Sequence, residues 1–179
     1  MDSIMNKITI GLIGYGVVGQ GVAKLLASKR HYIQTKYKAN FTIKTLCDRS
    51  YHKKNTHNLK GAKLTKNYKD VIYDKDIDIV IELIGGLHPA KEIVIQSLKQ
   101  GKDVITANKE LIARCGKELF ALAQEKQCHL YFESAVGAGI PMIQTITEGI
   151  AGNTFNSLYG IINGTCNFIL SEMTRRNLT

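Results

Sequence analysis

Gly14, Gly16 and Gly19 are the residues whose type and spacing first point to chemistry, because residues 7–21, KITIGLIGYGVVGQG, place them between a run of strand formers and a helical pattern. Backbone N–H groups at a helix start can bind a pyrophosphate if the chain turns sharply and no Cβ holds the phosphates away. Gly14 permits the tight turn, Gly16 the close approach of the phosphates, and Gly19 close packing of the helix on the sheet. Ile8, Ile10, Leu12 and Ile13 suit a strand buried on both faces. Val18, Val22, Leu25 and Leu26 follow helical spacing. A lone GxGxxG is a weak signal, but this context makes it the first β-turn-α of a dinucleotide-binding domain. The bland alternative is a glycine-rich turn without a ligand.

Such a turn needs a sheet behind it, and the chain supplies alternating short strands and helices. A helix over 17–29 is followed by a polar stretch to Asn40 and a second strand over 41–47. Residues 48–66 are polar and turn-prone, with a short helical segment at 68–73. A nearly continuous apolar run at 77–84, IDIVIELI, reads as an interior parallel strand, the third. A helix over 88–100 stops at Gly101, a fourth strand spans 103–106, a helix spans 109–126, and a fifth strand spans 129–133. The pattern predicts an α/β fold, a doubly wound parallel (Rossmann) sheet of order 3-2-1-4-5 over residues 1–134. Residues 135–179 read as the beginning of a second α+β domain, with a helix over 140–150, a strand over 158–162 and a last helix after Gly164 and Thr165. Ligands of such sheets meet the carboxyl ends of the strands, so residues 14–19, 82–86, 106–109 and 133–140 are the candidate site segments.

Composition excludes several classes. No apolar run approaches the roughly 18 residues of a membrane span, and the N-terminus lacks the apolar core of a signal peptide, so a soluble cytoplasmic protein is expected. Cys47, Cys115, Cys128 and Cys166 have neither metal-ligand nor disulfide-framework spacing. The net charge of +9 is concentrated: residues 29–69 hold 12 of the 24 Lys and Arg with Asp48 the single acid. That segment lacks interleaved aromatics and any nucleic-acid motif, so solvated surface or a cofactor phosphate explains it better than nucleic acid.

The segments GYGVVG, VIELIGG, VITANKELIA, ESAVGAGIPMI and GIINGTCNFIL, in this order and spacing, closely resemble the homoserine dehydrogenase family from its start to part-way through its substrate domain. The resemblance implies NAD(P)H-dependent, reversible reduction of L-aspartate 4-semialdehyde to L-homoserine, at the branch toward threonine, isoleucine and methionine. It also implies that Gly14, Tyr15, Gly16, Val17, Val18 and Gly19 hold the pyrophosphate, that Leu83 and Ile84 pass along the cofactor, and that Gly164 and Thr165 lie near substrate and nicotinamide. Lys109 matches the lysine of the TANK motif, at the junction of nicotinamide and substrate. An ammonium there is chemically apt, since hydride reaching an aldehyde carbon leaves an alkoxide to be stabilised or protonated. A monovalent cation, sodium by family habit, is implied on backbone carbonyls of Glu133, Val136, Ala138 and Ile140.

Further expectations follow from the same resemblance. Family members continue well past residue 179, where their acidic substrate cluster and second catalytic lysine lie, so this polypeptide is expected to be truncated and to bind cofactor with little or no turnover. The alternative function is a nucleotide-binding module without catalysis. A homodimer built through the substrate domain is expected of the full-length protein. Asp48 would accept from a ribose 2′-hydroxyl and Arg49 would favour a 2′-phosphate, and Arg49 with its basic surroundings tilts the reading from NAD toward NADP. Glu82 reads as an acceptor of backbone hydrogen bonds, His88 as a helix-start residue and Tyr159 as core or interface. Neither Cys128 nor Cys166 has the context of the nucleophile that a related aldehyde dehydrogenase would need.

Overall fold

The computed structural model describes residues 5–161 and 163–178. Strand β1 (Asn6–Ile13) lies between β2 (Ala39–Cys47) and β4 (Ile79–Glu82), paired in parallel with both. Strand β3 (Lys63–Thr65) closes one edge against β2, and β5 (Asp103–Thr106) and β6 (Leu130–Tyr131) extend the other, all in parallel. The sheet therefore has six strands in the order β3-β2-β1-β4-β5-β6.

This corrects the expected order. The run at 77–84, read as the third strand, would stand outside the strand at 41–47 in an order 3-2-1-4-5; in the structure it pairs with β1 on the opposite side. The three-residue β3, inside the stretch read as turn-prone, takes the outer position instead. Three residues are too few to show an alternating pattern, so pairing with β2 is what makes them a strand. A second helix, α2 (Arg30–Tyr37), occupies the stretch read as polar loop between α1 (Val17–Ser28) and β2.

Two apolar cores sit on the two faces. The short α3 (Lys69–Ile72), α4 (Ala90–Lys99) and α5 (Lys109–Glu125) bury Ile13, Val80, Ile93, Leu98, Leu111 and Leu119 on one face. On the other, α1 covers Ile10, Leu12, Leu46 and Ile81. Its buried residues are the small Gly19 and Ala23. Val18 and Leu25, two of the residues at helical spacing, are exposed. They border an apolar groove of about 450 Å³ with Val22, Phe41, Ile79 and Ile105.

After β6 come the four-residue α6 (Glu133–Val136), α7 (Met142–Gln144), a π-helical turn (Thr145–Gly149) and α8 (Gly164–Arg176). The strand expected over 158–162 is absent from residues 158–161, which are exposed, and Ile162 lies outside the described residues. A strand needs a paired neighbour for its backbone groups, and no described strand lies beside this segment. No described helix is long and apolar enough to cross a membrane.

Candidate functional site

Gly14 makes the tight turn expected of it, and Gly19 packs closely against a different partner. Gly14 has φ +96°, and its amide donates to the Cys47 carbonyl at 2.8 Å. A Cβ on Gly14 would stand 2.7 Å from the Leu83 carbonyl group, so this glycine lets the ends of β1 and β4 approach. A Cβ on Gly19 would stand 2.2 Å from the Gly14 carbonyl oxygen, so its close packing is against the turn itself. At Gly16 the Cβ direction is open, and this residue caps α1 without a side chain. The first-turn amides of α1, which have no intrahelical acceptor, thus receive no cap from the Gly16 side and meet no side-chain acceptor among the described residues.

Beside this turn, at the carboxyl ends of β1, β2 and β4, lies a cavity of about 410 Å³. Gly14, Tyr15 and Gly16 form one wall, Leu83, Ile84 and Gly85 a second, and Asp48, Arg49, Ser50, Lys54 and Lys66 a third. His88 also lines it. Of the basic segment 29–69, Arg49, Lys54 and Lys66 thus converge on the cavity, while Lys44 sits at a bulge in β2 and pairs with Asp74 and Asp76. Cys47 lines the cavity too, but burial first, with Asp48 and Asp70 adding, pushes its thiol up to about 11, so it stays protonated and unreactive at neutral pH.

Asp48 anchors the third wall. Its carboxylate accepts from the Tyr15 amide at 2.8 Å, the Ser50 amide at 2.8 Å and the Lys54 ammonium at 2.9 Å. Burial works to raise this carboxyl, and the hydrogen bonds from Lys54, Tyr15 and Ser50 outweigh it, holding the group below its ordinary value. Tyr15 is fully buried, its hydroxyl donating to the Asn55 carbonyl at 3.1 Å, so its ring belongs to the protein interior.

A second network joins the ends of β4 and β5. Fully buried Glu82 accepts from the Ile84 amide at 2.8 Å and from the Thr106 hydroxyl at 2.6 Å. Thr106 Oγ1 in turn accepts from the Asn108 amide, and the Asn108 side chain donates to the Gly86 carbonyl at 2.6 Å while capping α5 at Leu111 N. The expectation for Glu82 was backbone acceptance alone; the bond to Thr106 ties two loops together. Lys109 follows directly as the first residue of α5 and is exposed. The sequence reading placed Thr106 and Asn108 in the candidate segment 106–109 without giving them a role, and missed Ser50, Lys54 and Lys66. Asn108 was findable, because an Asn just before a helical pattern is a cap signal.

Other sequence-predicted residues lie apart from the cavity walls. Val17 and Val18 are exposed on the first turn of α1. The Glu133 carboxylate accepts from the amides of Met142, Ile143 and Gln144 at 2.8–2.9 Å, and these bonds, Gln144 and Ile143 foremost, lower its pKa. Its own carbonyl accepts from Gly137 N, and that of Ile140 from Met142 N. Each carbonyl keeps a second lone pair, and the loop through Val136, Ala138 and Ile140 lies toward the surface, so backbone oxygens could hold a hard cation there. No described cluster of acidic, His or Cys side chains adds ligands. Gly164 and Thr165 begin α8, which buries none of its residues.

Residues 14–133 match the family model described as homoserine dehydrogenase, NAD binding domain, and residues 141–179 match that described as homoserine dehydrogenase. The chain is 40% identical over 171 residues to the homoserine dehydrogenase of Bacillus subtilis, covering 96% of this chain and 40% of that protein. It is 41% identical over 172 residues to that of Neisseria gonorrhoeae, covering 96% and 39%. The crystal structure of a homoserine dehydrogenase from Thiobacillus denitrificans matches with a TM-score of 0.86 at 45% identity, covering 96% of this chain and 39% of that one. The chain spans about two fifths of the length of the curated relatives it matches.

Proposed function

This chain belongs to the homoserine dehydrogenase family, and we propose that it forms the cofactor-binding part of an enzyme that reversibly reduces L-aspartate 4-semialdehyde to L-homoserine with NAD(P)H. The observation that carries the reading is the cavity at the switch point between β1 and β4, where a side-chain-free helix start, an apolar edge and a basic wall meet. When bound, the nicotinamide supplies or accepts the hydride. The chain's own residues bind and orient it. The amides of residues 16–19 receive the pyrophosphate, Leu83 and Ile84 line its path, and Arg49 with Lys66 favours the 2′-phosphate of NADP over NAD.

Lys109 would donate from its ammonium to the substrate carbonyl oxygen as that oxygen gains charge. Asn108, fixed between Gly86 and Leu111, sets where the Lys109 backbone begins. Gly164 and Thr165 approach the substrate in this reading, and a monovalent cation, sodium by preference, sits on carbonyls of Glu133, Val136, Ala138 and Ile140. Residues 1–134 then form the dinucleotide-binding domain, and residues 135–179 begin a substrate and dimerisation domain. The whole protein would be a cytoplasmic homodimer serving threonine, methionine and isoleucine biosynthesis.

A second reading, a nucleotide-binding module without catalysis, is favoured for this chain by the exposure of Lys109 and by the lack of buried residues in α8. Titration with NADPH and a steady-state assay with homoserine and NADP separate the two. Binding with negligible turnover is expected of this chain. Robust turnover would remove the module reading, and failure to bind either nicotinamide nucleotide would remove both.

A further inference from the structure

An acid just beyond the second strand ordinarily reads the ribose 2′-hydroxyl of an unphosphorylated dinucleotide, yet Asp48 has no acceptor site to spare. Oδ2 accepts from Tyr15 N at 2.8 Å and from Lys54 Nζ at 2.9 Å. Oδ1 accepts from Ser50 N at 2.8 Å, from Ser50 Oγ at 3.1 Å and from Lys54 Nζ at 2.9 Å. A carboxylate offers about four lone-pair sites, so these contacts saturate it. The ammonium of Lys54 lies on both oxygens and compensates the charge as well. The side chains are 11% and 23% exposed, which limits screening of the pair by solvent. Arg49 and Lys66 line the same cavity and enter no ion pair among the described residues.

We propose that Lys54 is a specificity-determining residue of the cofactor site: by holding Asp48 it withdraws the acceptor and the negative charge that would select NAD, leaving Arg49 and Lys66 to receive a 2′-phosphate. The proposal rests on the reading of this cavity as a nicotinamide dinucleotide site. Lys54 then acts through Asp48, without needing to touch the phosphate. A freed Asp48 would repel a phosphate on the same wall and accept from a ribose hydroxyl, and two unit charges about 6 Å apart change affinity roughly three-fold in water and roughly hundred-fold at the effective dielectric of a protein surface, which brackets a change of about ten-fold.

Fluorescence titration of this chain with NADPH and with NADH tests the idea in the parent, Lys54→Met, Lys54→Arg and Lys54→Met/Asp48→Asn, with circular dichroism melts to establish folding. Lys54→Met should lower the preference for NADPH over NADH about ten-fold, Lys54→Arg should retain it, and adding Asp48→Asn should restore most of the NADPH affinity. An unchanged preference in folded Lys54→Met overturns the proposal. A double variant as weak for NADPH as Lys54→Met also overturns it, since Lys54 would then act as a plain phosphate contact. A parent chain that binds neither nucleotide overturns the cofactor reading and this proposal with it, a result distinct from the other two.

Discussion

At the amino end of β4 and β5, buried Lys102 donates to the carbonyls of Asp74 at 2.6 Å and Ile77 at 2.7 Å, Lys44 pairs with Asp74 and Asp76, and Asp78 accepts from Thr9 N. At the carboxyl end, Glu82 and Asp48 are held just as fully. Burial pulls the Lys102 amine below its ordinary value, against the charges of Asp74 and Asp78, so a perturbed ionisable group occurs at both ends. The amino-end groups line neither the cavity at the carboxyl ends nor the groove beside α1, and each spends its capacity on neighbouring chain. The carboxyl end has donors left over beside a cavity: Arg49, Lys66 and the first-turn amides of α1. Buried charge by itself therefore marks only cross-links between strands, whereas surplus donors around open space mark a site.

Substitutions at the two ends can break or sharpen this contrast. The largest effect is expected from Glu82→Ala, which strands two neutral donors, the Ile84 amide and the Thr106 hydroxyl, and should cost about 3–5 kcal/mol by urea denaturation. It should also weaken NADPH binding, because the 83–86 loop lines the site; lost stability with intact affinity would make the two ends equivalent. Lys102→Met leaves the Asp74 and Ile77 carbonyls without their donor and should cost about 2–3 kcal/mol. NADPH affinity should not move, and a drop in it would break the contrast from the other side. The smallest effect belongs to Thr45, next to the β2 bulge between the two ends, whose buried hydroxyl has no partner among the described residues. Thr45→Val should raise stability by about 1 kcal/mol in the same denaturation experiment and leave binding unchanged.

The glycine turn, the interior strand at β4 and the long helices α4 and α5 were legible because their signals are local: apolar runs, helical spacing and a terminal Gly101. Strand β3 and the order of the sheet were not, since a three-residue strand exists through its pairing with Thr45, Leu46 and Cys47. Part of the candidate site followed the same division. Asp48 and Arg49 could be read from their place after the second strand, but Lys54 and Lys66 were indistinguishable from the nine Lys and Arg of the segment 29–69 that remain besides Arg49 until the chain folded them to one wall.

Residue types and spacing alone determined that this chain builds a doubly wound sheet with a glycine-rich turn before its first helix, because steric demands at Gly14 and Gly19 and the burial of alternating elements act over a few residues. Tertiary structure decided what the charged residues do. Whether Asp48 reads a ribose or clasps Lys54, and whether Glu82 accepts from one loop or ties two together, depends on which donors distant segments bring within hydrogen-bond reach. Those distances are set by packing of the whole sheet, and no local pattern encodes them.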